Sequence, residues 1–359
     1  MDTKKKIGII TIHSDLNYGA ALQAYALNQY LRNKGYNSQI INYIKIPNHP
    51  RQYPFPKNIA YWLMNFPRYH RYRQFLKQSV TIKKWHSVEE LMNGFNEPFD
   101  VLISGSDQVW NPTCGGLIDK LNPCYYLAFA SSKKYKKIAY ASSIGSYRFN
   151  TEEQVHIKKW LGDYHHLSTR ETAGSEHLKE ILNKEVKVVL DPTLLLNIEQ
   201  WRKASHPVVI KEKYVLVYYI DEISECVKYA RKIADKHGWK VIMMSNTSNR
   251  FPGVDRNIPF CGPAQFLWLF DHASYVVTNS FHGTAFSVNF NRSFISVIKR
   301  NSPQRAQTLL QSVGLSERLL TDIVQVDNLP EKIDWDTVNT KLDILRQDST
   351  NYLIEAIEK

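Results

Sequence analysis

The sequence predicts two tandem α/β domains, each a doubly wound, Rossmann-like parallel sheet, with a cleft between them. Three observations lead there. At 359 residues the chain exceeds one ordinary hydrophobic core. Short apolar runs alternate with amphipathic stretches along most of its length, and the alternation restarts after Asp191-Pro192.

Residues 7–12 form an apolar run that reads as a buried strand. After the loop 13–19, residues 20–34 carry Leu22, Tyr25, Ala26, Tyr30 and Leu31 at helical spacing, and Gly35 suits the helix stop. A strand over 39–44 completes a β-α-β unit, which requires parallel strands and a right-handed crossover. Strands are expected again at 99–104, 137–142, 166–169 and 186–190, with helices near 151–161 and 173–182. In the second domain the order is strand 214–220, helix 223–237, strand 240–244, helix 264–271, strand 275–279, helix 283–290 and strand 294–298. The domain boundary falls within 190–212. The expected organisation is therefore an N-terminal domain over 1–195, a C-terminal domain over 196–335, and a helical segment over 336–359 that packs back. In sheets of this kind ligands bind beyond the carboxyl ends of the strands, so the loops that follow the strands carry the chemistry.

Hydrophobic content of 43% and charged content of 22% suit a globular chain and argue against long disorder. The basic start, residues 1–6, is followed by an apolar run too short for a signal-peptide core. No stretch approaches the roughly 18 apolar residues of a membrane span, so a cytoplasmic protein is expected. Cys114, Cys124, Cys226 and Cys261 show neither zinc-site nor disulfide spacing and read as buried thiols. A net charge of +12 favours anionic partners. No basic tract, RNP-like motif or zinc-finger spacing appears, so nucleic acid is not expected among them.

Residues 45–77 hold Lys45, Arg51, Lys57, Arg68, Arg71, Arg73 and Lys77, with no Asp or Glu, interleaved with aromatics and five prolines. One reading is a surface for anionic headgroups or a phosphorylated lipid carrier, with peripheral contact at the inner face of the membrane. The other is a solvated flap whose aromatics fold into the core.

Five loops carry candidate chemistry. Asn17-Tyr18-Gly19 lies between strand and helix, where free N–H groups and the helix dipole favour an anion; it is not GxGxxG, so a dinucleotide is not indicated. Ser104 to Pro112 (SGSDQVWNP) offers a carboxylate in Asp107, amides in Gln108 and Asn111, and an aromatic face in Trp110, a set that binds sugar rings. Asp107 is read either as a base or as a cap on its own turn. Ser168 to Glu171 contains Arg170, whose planar fork matches a carboxylate or phosphate, or else pairs with Glu171. Asp191-Pro192-Thr193 sits at another strand end. Thr278 to Thr284 (TNSFHGT) brings His282 to a helix start, where a group titrating near neutral pH suits acid/base work. Lys299 and Arg300 follow the next strand.

Together the segments IGIITIHSDLNYGAALQAYAL, INYI, FDVLISGSDQVWNP, LSTRE, VVLDPTLLL and VVTNSFHGTAFSVNF resemble the polysaccharide pyruvyltransferase family, in an order that spans most of the chain. The resemblance implies a GT-B-like fold with phosphoenolpyruvate as donor and co-substrate, and a glycan or lipid-linked oligosaccharide as acceptor. It implies no obligatory metal and no other cofactor. It makes His282 the catalytic histidine and Arg170 a donor-binding arginine. Some members carry arginine two positions before that histidine; here Ser280 stands there, so donor binding falls to Arg170, Lys299, Ser280, Asn17 and Gly19. Asp107 would orient or deprotonate the acceptor hydroxyl, with Trp110, Gln108 and Asn111 holding the sugar. The competing readings are a GT-B glycosyltransferase using a nucleotide sugar, and a noncatalytic glycan- or nucleic-acid-binding protein.

Overall fold

The computed structural model describes residues 4–44, 57–114, 120–220, 223–297 and 304–359. It divides the chain into two compact units, Met1–Leu195 together with Leu345–Lys359, and Leu196–Ile344.

The first unit is built on a five-stranded parallel sheet. In chain order its elements are β1 (Lys6–Ile10), α1 (Tyr18–Asn33), β2 (Asn37–Tyr43), α2 (Lys57–Leu76), β3 (Val80–Trp85), α3 (Val88–Gly94), β4 (Val101–Ser104) and β5 (Lys136–Ala139). These continue with α4 (Thr151–Leu161), β6 (Ser168–Thr169), α5 (Thr172–Leu182) and β7 (Lys187–Val188). The strand order is β3-β2-β1-β4-β5. The parallel pair β6-β7 extends this pattern, because His166 bridges to Ile138 of β5. The central strands are apolar on both faces: Ile7, Ile9, Ile10, Leu102 and Ile103 are wholly buried, as a sheet covered by helices on both sides requires. Each such side chain contributes about 1.5–3 kcal/mol by leaving water. Asn17 caps α1, and Gly35, at φ +85°, turns the chain out of it.

The second unit contains α6 (Ile198–Ala204), β8 (Tyr214–Tyr218), α7 (Ile223–His237), β9 (Lys240–Ser245), β10 (Arg256–Pro259), α8 (Pro263–His272) and β11 (Tyr275–Thr278). After these come α9 (Phe281–Asn289), β12 (Phe294–Val297), α10 (Gln304–Val313) and β13 (Leu319–Leu320). Its six parallel strands run β10-β9-β8-β11-β12-β13. Val215, Val217, Val241, Met243, Val277 and Ile295 form one layer of its core with Cys226, Ala230 and Ile233 of α7.

The alternation expected from the sequence is present, and both sheets are parallel and doubly wound. The final segment, expected to be helical, is a single helix, α11 (Trp335–Glu358), and the division between units falls inside it, between Ile344 and Leu345. Part of the basic segment is also regular: α2 buries Asn65, Arg68, Tyr72 and Leu76, while residues 45–56 and the side chains through 64 lie outside the described residues. Among the described residues no helix is long and apolar enough to cross a membrane.

Candidate functional site

Parallel strands deliver their following loops to one edge of each sheet, and the motif residues gather at those edges. In the first unit the loop after β1 is tied to the loop after β4: Thr11 Oγ1 donates to the Ser106 carbonyl at 2.8 Å. Gln23 of α1 braces the pair, its Nε2 donating to Thr11 Oγ1, the Ile12 carbonyl and the Ala20 carbonyl. Asn17 Oδ1 accepts from the Ala20 N–H at 3.2 Å, and Gly19 is buried in the first turn of α1. Arg68 of α2 donates to the Leu16 carbonyl at 2.6 Å and lies over the rings of Tyr18 and Tyr72.

The densest polar feature of this edge centres on Arg170. Its Nε donates to Glu171 Oε1 at 3.1 Å and its Nη1 to Asp191 Oδ2 at 2.7 Å, with all three side chains at 3% exposure or less. Ser106 Oγ donates to the same Asp191 oxygen at 2.9 Å, and Ser143 Oγ to Glu171 Oε1 at 2.7 Å. Asp191 Oδ1 accepts from the Thr193 N–H and hydroxyl. Burial alone would lower the guanidinium pKa, but the Glu171 and Asp191 carboxylates outweigh it and raise it above its ordinary range. Nε and Nη1 of Arg170 thus help to join the loops after β4, β5, β6 and β7.

That joining holds two residues in a backbone region that only glycine adopts freely, Asp107 at φ 72° and Ala141 at φ 53°. The Ser143 N–H donates to the Asp107 carbonyl at 3.0 Å, and the Trp110 N–H to the Ser143 carbonyl at 3.2 Å. Non-glycine residues held this way concentrate at functional sites. Asp107 is half-buried, and its Oδ1 accepts from the Gln108 N–H at 2.9 Å, so it does cap its own turn. Gln108 Oε1 accepts from Asn111 Nδ2 at 2.8 Å, and Asn111 Oδ1 accepts from Thr113. For Trp110 the expected role is corrected. The side chain is fully buried, its Nε1 donates to the Tyr125 carbonyl at 3.1 Å, and its ring lies parallel to Tyr126 at 5.6 Å. A ring in that position belongs to the core and offers no face to a sugar.

In the second unit β11 runs into α9 through Asn279 and Ser280. Asn279 Oδ1 accepts from the Ile220 N–H at 2.9 Å, and Thr278 Oγ1 accepts from the Ser280 N–H at 3.1 Å. Ser280 occupies the N-cap position without capping: its hydroxyl has no hydrogen-bond partner among the described residues, although the residue is 1% exposed. No acidic residue stands in the first turn, and His282 lies in that turn at 6% exposure, its ring edge-on to Phe281. Gly283 is required there, because a Cβ would fall 2.1 Å from Thr278 Oγ1. The result is a helix start without a side-chain cap, with an unsatisfied hydroxyl and an imidazole, a combination that receives an anion and can move a proton beside it. Lys299 and Arg300 lie outside the described residues. Among the described residues no three His, Cys, Asp or Glu cluster to hold a metal ion.

Sequence reasoning passed over Ser143 and the pairing of Ser106 with Asp191. The only signal was that each stands at the end of a strand, since Ser106 and Asp191 are 85 positions apart.

The sequence profile of a family described as polysaccharide pyruvyl transferase matches residues 17–301. No curated protein sequence matches the chain. Similar solved structures include UDP-N-acetylglucosamine 2-epimerase from Rickettsia bellii, 11% identical with a TM-score of 0.53, covering 99% of this chain and 97% of that one. Another is UDP-GlcNAc 2-epimerase from Neisseria meningitidis bound to UDP-GlcNAc, 10% identical with a TM-score of 0.53, covering 98% of this chain and 94% of that one. At such identities the likeness is one of fold, the two-domain α/β class called GT-B.

Proposed function

Because the chain belongs to the polysaccharide pyruvyl transferase family, we propose that it transfers the pyruvyl group of phosphoenolpyruvate to two hydroxyls of one sugar residue. The sugar belongs to a surface or exopolysaccharide, or to its lipid-linked precursor. The products are a cyclic pyruvate ketal and inorganic phosphate. The observation that carries this reading is the first turn of α9, where His282 stands beside an uncapped helix start and the unpartnered Ser280 hydroxyl.

The donor is a small dianion or trianion, and the chemistry runs through its enol. A proton delivered to the methylene carbon makes C2 electrophilic, and a sugar hydroxyl adds there. The C2–O bond to phosphate then breaks, and a second hydroxyl closes the ring. Of the two hydroxyl protons, one balances the new methyl group and the other leaves with phosphate. In this scheme the N–H groups at the start of α9 and the Ser280 hydroxyl hold donor oxygens. The dipole of α9 stabilises the charge that phosphate carries away. His282 moves the proton. In the first unit Asp107, whose backbone the Arg170 network holds, is the acceptor-side carboxylate. Gln108 and Asn111 supply amide contacts to the sugar. Lys299 stays in the proposal as a further donor contact on sequence grounds alone.

The test is to incubate the purified chain with phosphoenolpyruvate and a panel of lipid-linked and nitrophenyl glycosides, following phosphate release and the mass of the glycoside. Acceptor-dependent phosphate release with gain of a pyruvyl ketal is the expected result. No release with any acceptor, together with tight binding of a nucleotide sugar in place of phosphoenolpyruvate, would shift the assignment to a nucleotide-sugar glycosyltransferase.

A further inference from the structure

Between Asp15 and Glu89 the sequence contains no acidic residue at all, although eleven Lys and Arg fall in that interval. In the described part of this interval the imbalance maps onto one margin of the first unit. Helix α2 buries Asn65, Arg68, Tyr72 and Leu76 and exposes Phe66, His70 and Arg73, which together with Lys77 just past its end follow the i, i+4, i+7, i+11 spacing of a single helical stripe. From Lys77 the chain passes through Gln78 and Ser79 directly into β3, the edge strand of the sheet. There Ile82, Lys83 and Lys84 are consecutive exposed residues.

The charges on this margin are less paired than those of α7, where Lys228 is neutralised by Glu225 and the half-buried Arg231 by Asp235 and Asp255. Lys83 is similarly engaged, with Glu97 and the Trp85 ring. Among the described residues Arg73, Lys77 and Lys84 have no ion-pair partner. The margin also carries two of the seven large apolar side chains left exposed among the described residues, Phe66 at 48% and Ile82 at 99%. A helical stripe that mixes unpaired cations with an outward aromatic, beside an edge strand with a wholly exposed isoleucine, fits a layered partner. Such a partner has anionic groups at its surface and hydrocarbon just beneath. A nucleic acid offers phosphates for the cations but no apolar layer for Ile82.

We propose that the α2–β3 margin docks the protein onto a bilayer surface rich in anionic lipid. Arg73, Lys77 and Lys84 contact headgroups, and Phe66 and Ile82 enter the boundary below them. The surface acts independently of the reaction assigned above, since none of these residues belongs to the strand-end loops.

The experiment is co-sedimentation of the full chain with vesicles of phosphatidylcholine alone and of phosphatidylcholine mixed with phosphatidylglycerol, at low and high salt. Binding is expected only to the mixed vesicles and is expected to weaken with salt. Combined Arg73→Glu, Lys77→Glu and Lys84→Glu should weaken it roughly a hundredfold or more, at about 1 kcal/mol lost per basic group. Combined Phe66→Ser and Ile82→Ser should reduce binding to the same vesicles while leaving the charge intact. All five positions are exposed, so circular dichroism and phosphate release with a soluble glycoside should be unchanged in both variants. Equal partition onto neutral and anionic vesicles, or undiminished binding by the charge-reversed variant, would overturn the proposal. Displacement from vesicles by duplex DNA at comparable concentration would also overturn it and give the face to nucleic acid.

Discussion

His282 and Ser280 share the first turn of α9 but answer to different measurements. If His282 moves the proton, His282→Gln should lower kcat by roughly 10²- to 10⁴-fold and leave donor affinity nearly unchanged, as steady-state kinetics with donor titration would show. Near-normal turnover would remove His282 from the chemistry and leave Asp107 as the better candidate. Ser280→Ala should act on binding instead. Its hydroxyl has no partner among the described residues, so its loss leaves no buried group newly unsatisfied. The variant should keep its melting temperature and bind phosphoenolpyruvate more weakly by about 0.5–1.5 kcal/mol, the worth of one hydrogen bond. Gly283→Ala is a control of another kind. With Thr278 Oγ1 2.1 Å from the added carbon and Thr278 itself wholly buried, β11 and α9 must separate. Stability and activity should fall together.

At the scale of elements, the Arg170 network decides how the loops after β4, β5, β6 and β7 are held. Arg170→Ala would leave Glu171 and Asp191 buried without their cation, which is expected to destabilise the first unit by about 3–5 kcal/mol. Whatever fraction stays folded should bind phosphoenolpyruvate with unchanged affinity. A stable Arg170→Ala protein with weakened donor binding would instead give Arg170 the donor role expected from the sequence. Sequence reasoning could see that Arg170 ends a strand beside a carboxylate. It could not see Asp191, 21 positions on, closing the second arm of the fork, because pairing across loops is set by sheet order. The same limit explains which elements were legible. Helices α4 and α7 stood out by their amphipathic spacing. Strand β3 did not, because three of its six residues, Ile82, Lys83 and Lys84, are exposed and break the apolar period. Strand β10 is an edge strand that begins with Arg256 and ends with Pro259.

For the molecule as a whole, three histidines among the described residues contribute to the response to mild acid. His13, His166 and His177 all have lowered pKa values, with burial the largest cause in each; His13 is also held by the Thr11 carbonyl and Asn42. As pH falls through the ordinary histidine value of about 6.5, the unfolded chain takes up protons that the folded chain refuses, so stability must fall toward acid. Thermal unfolding followed from neutral pH downward should show the midpoint dropping below that value, and His13→Asn should flatten the drop. A midpoint that rises with acid would contradict the sign. The parallel, doubly wound character of both units was legible throughout because it rests on alternation, which needs only local periodicity. The way the chain closes was not. Residues 345–359 return to the first unit, where Leu353, Ala356 and Ile357 are fully buried, Lys5 Nζ donates to the Ile357 carbonyl, and Ser349 Oγ accepts from the Leu190 N–H. This return has a consequence for synthesis. The second unit is continuous in sequence, whereas the first is closed by a segment made after it. Although most of the first unit is made earlier, it lacks its last helical turns until residues 345–359 have been made. The part made first is thus finished last.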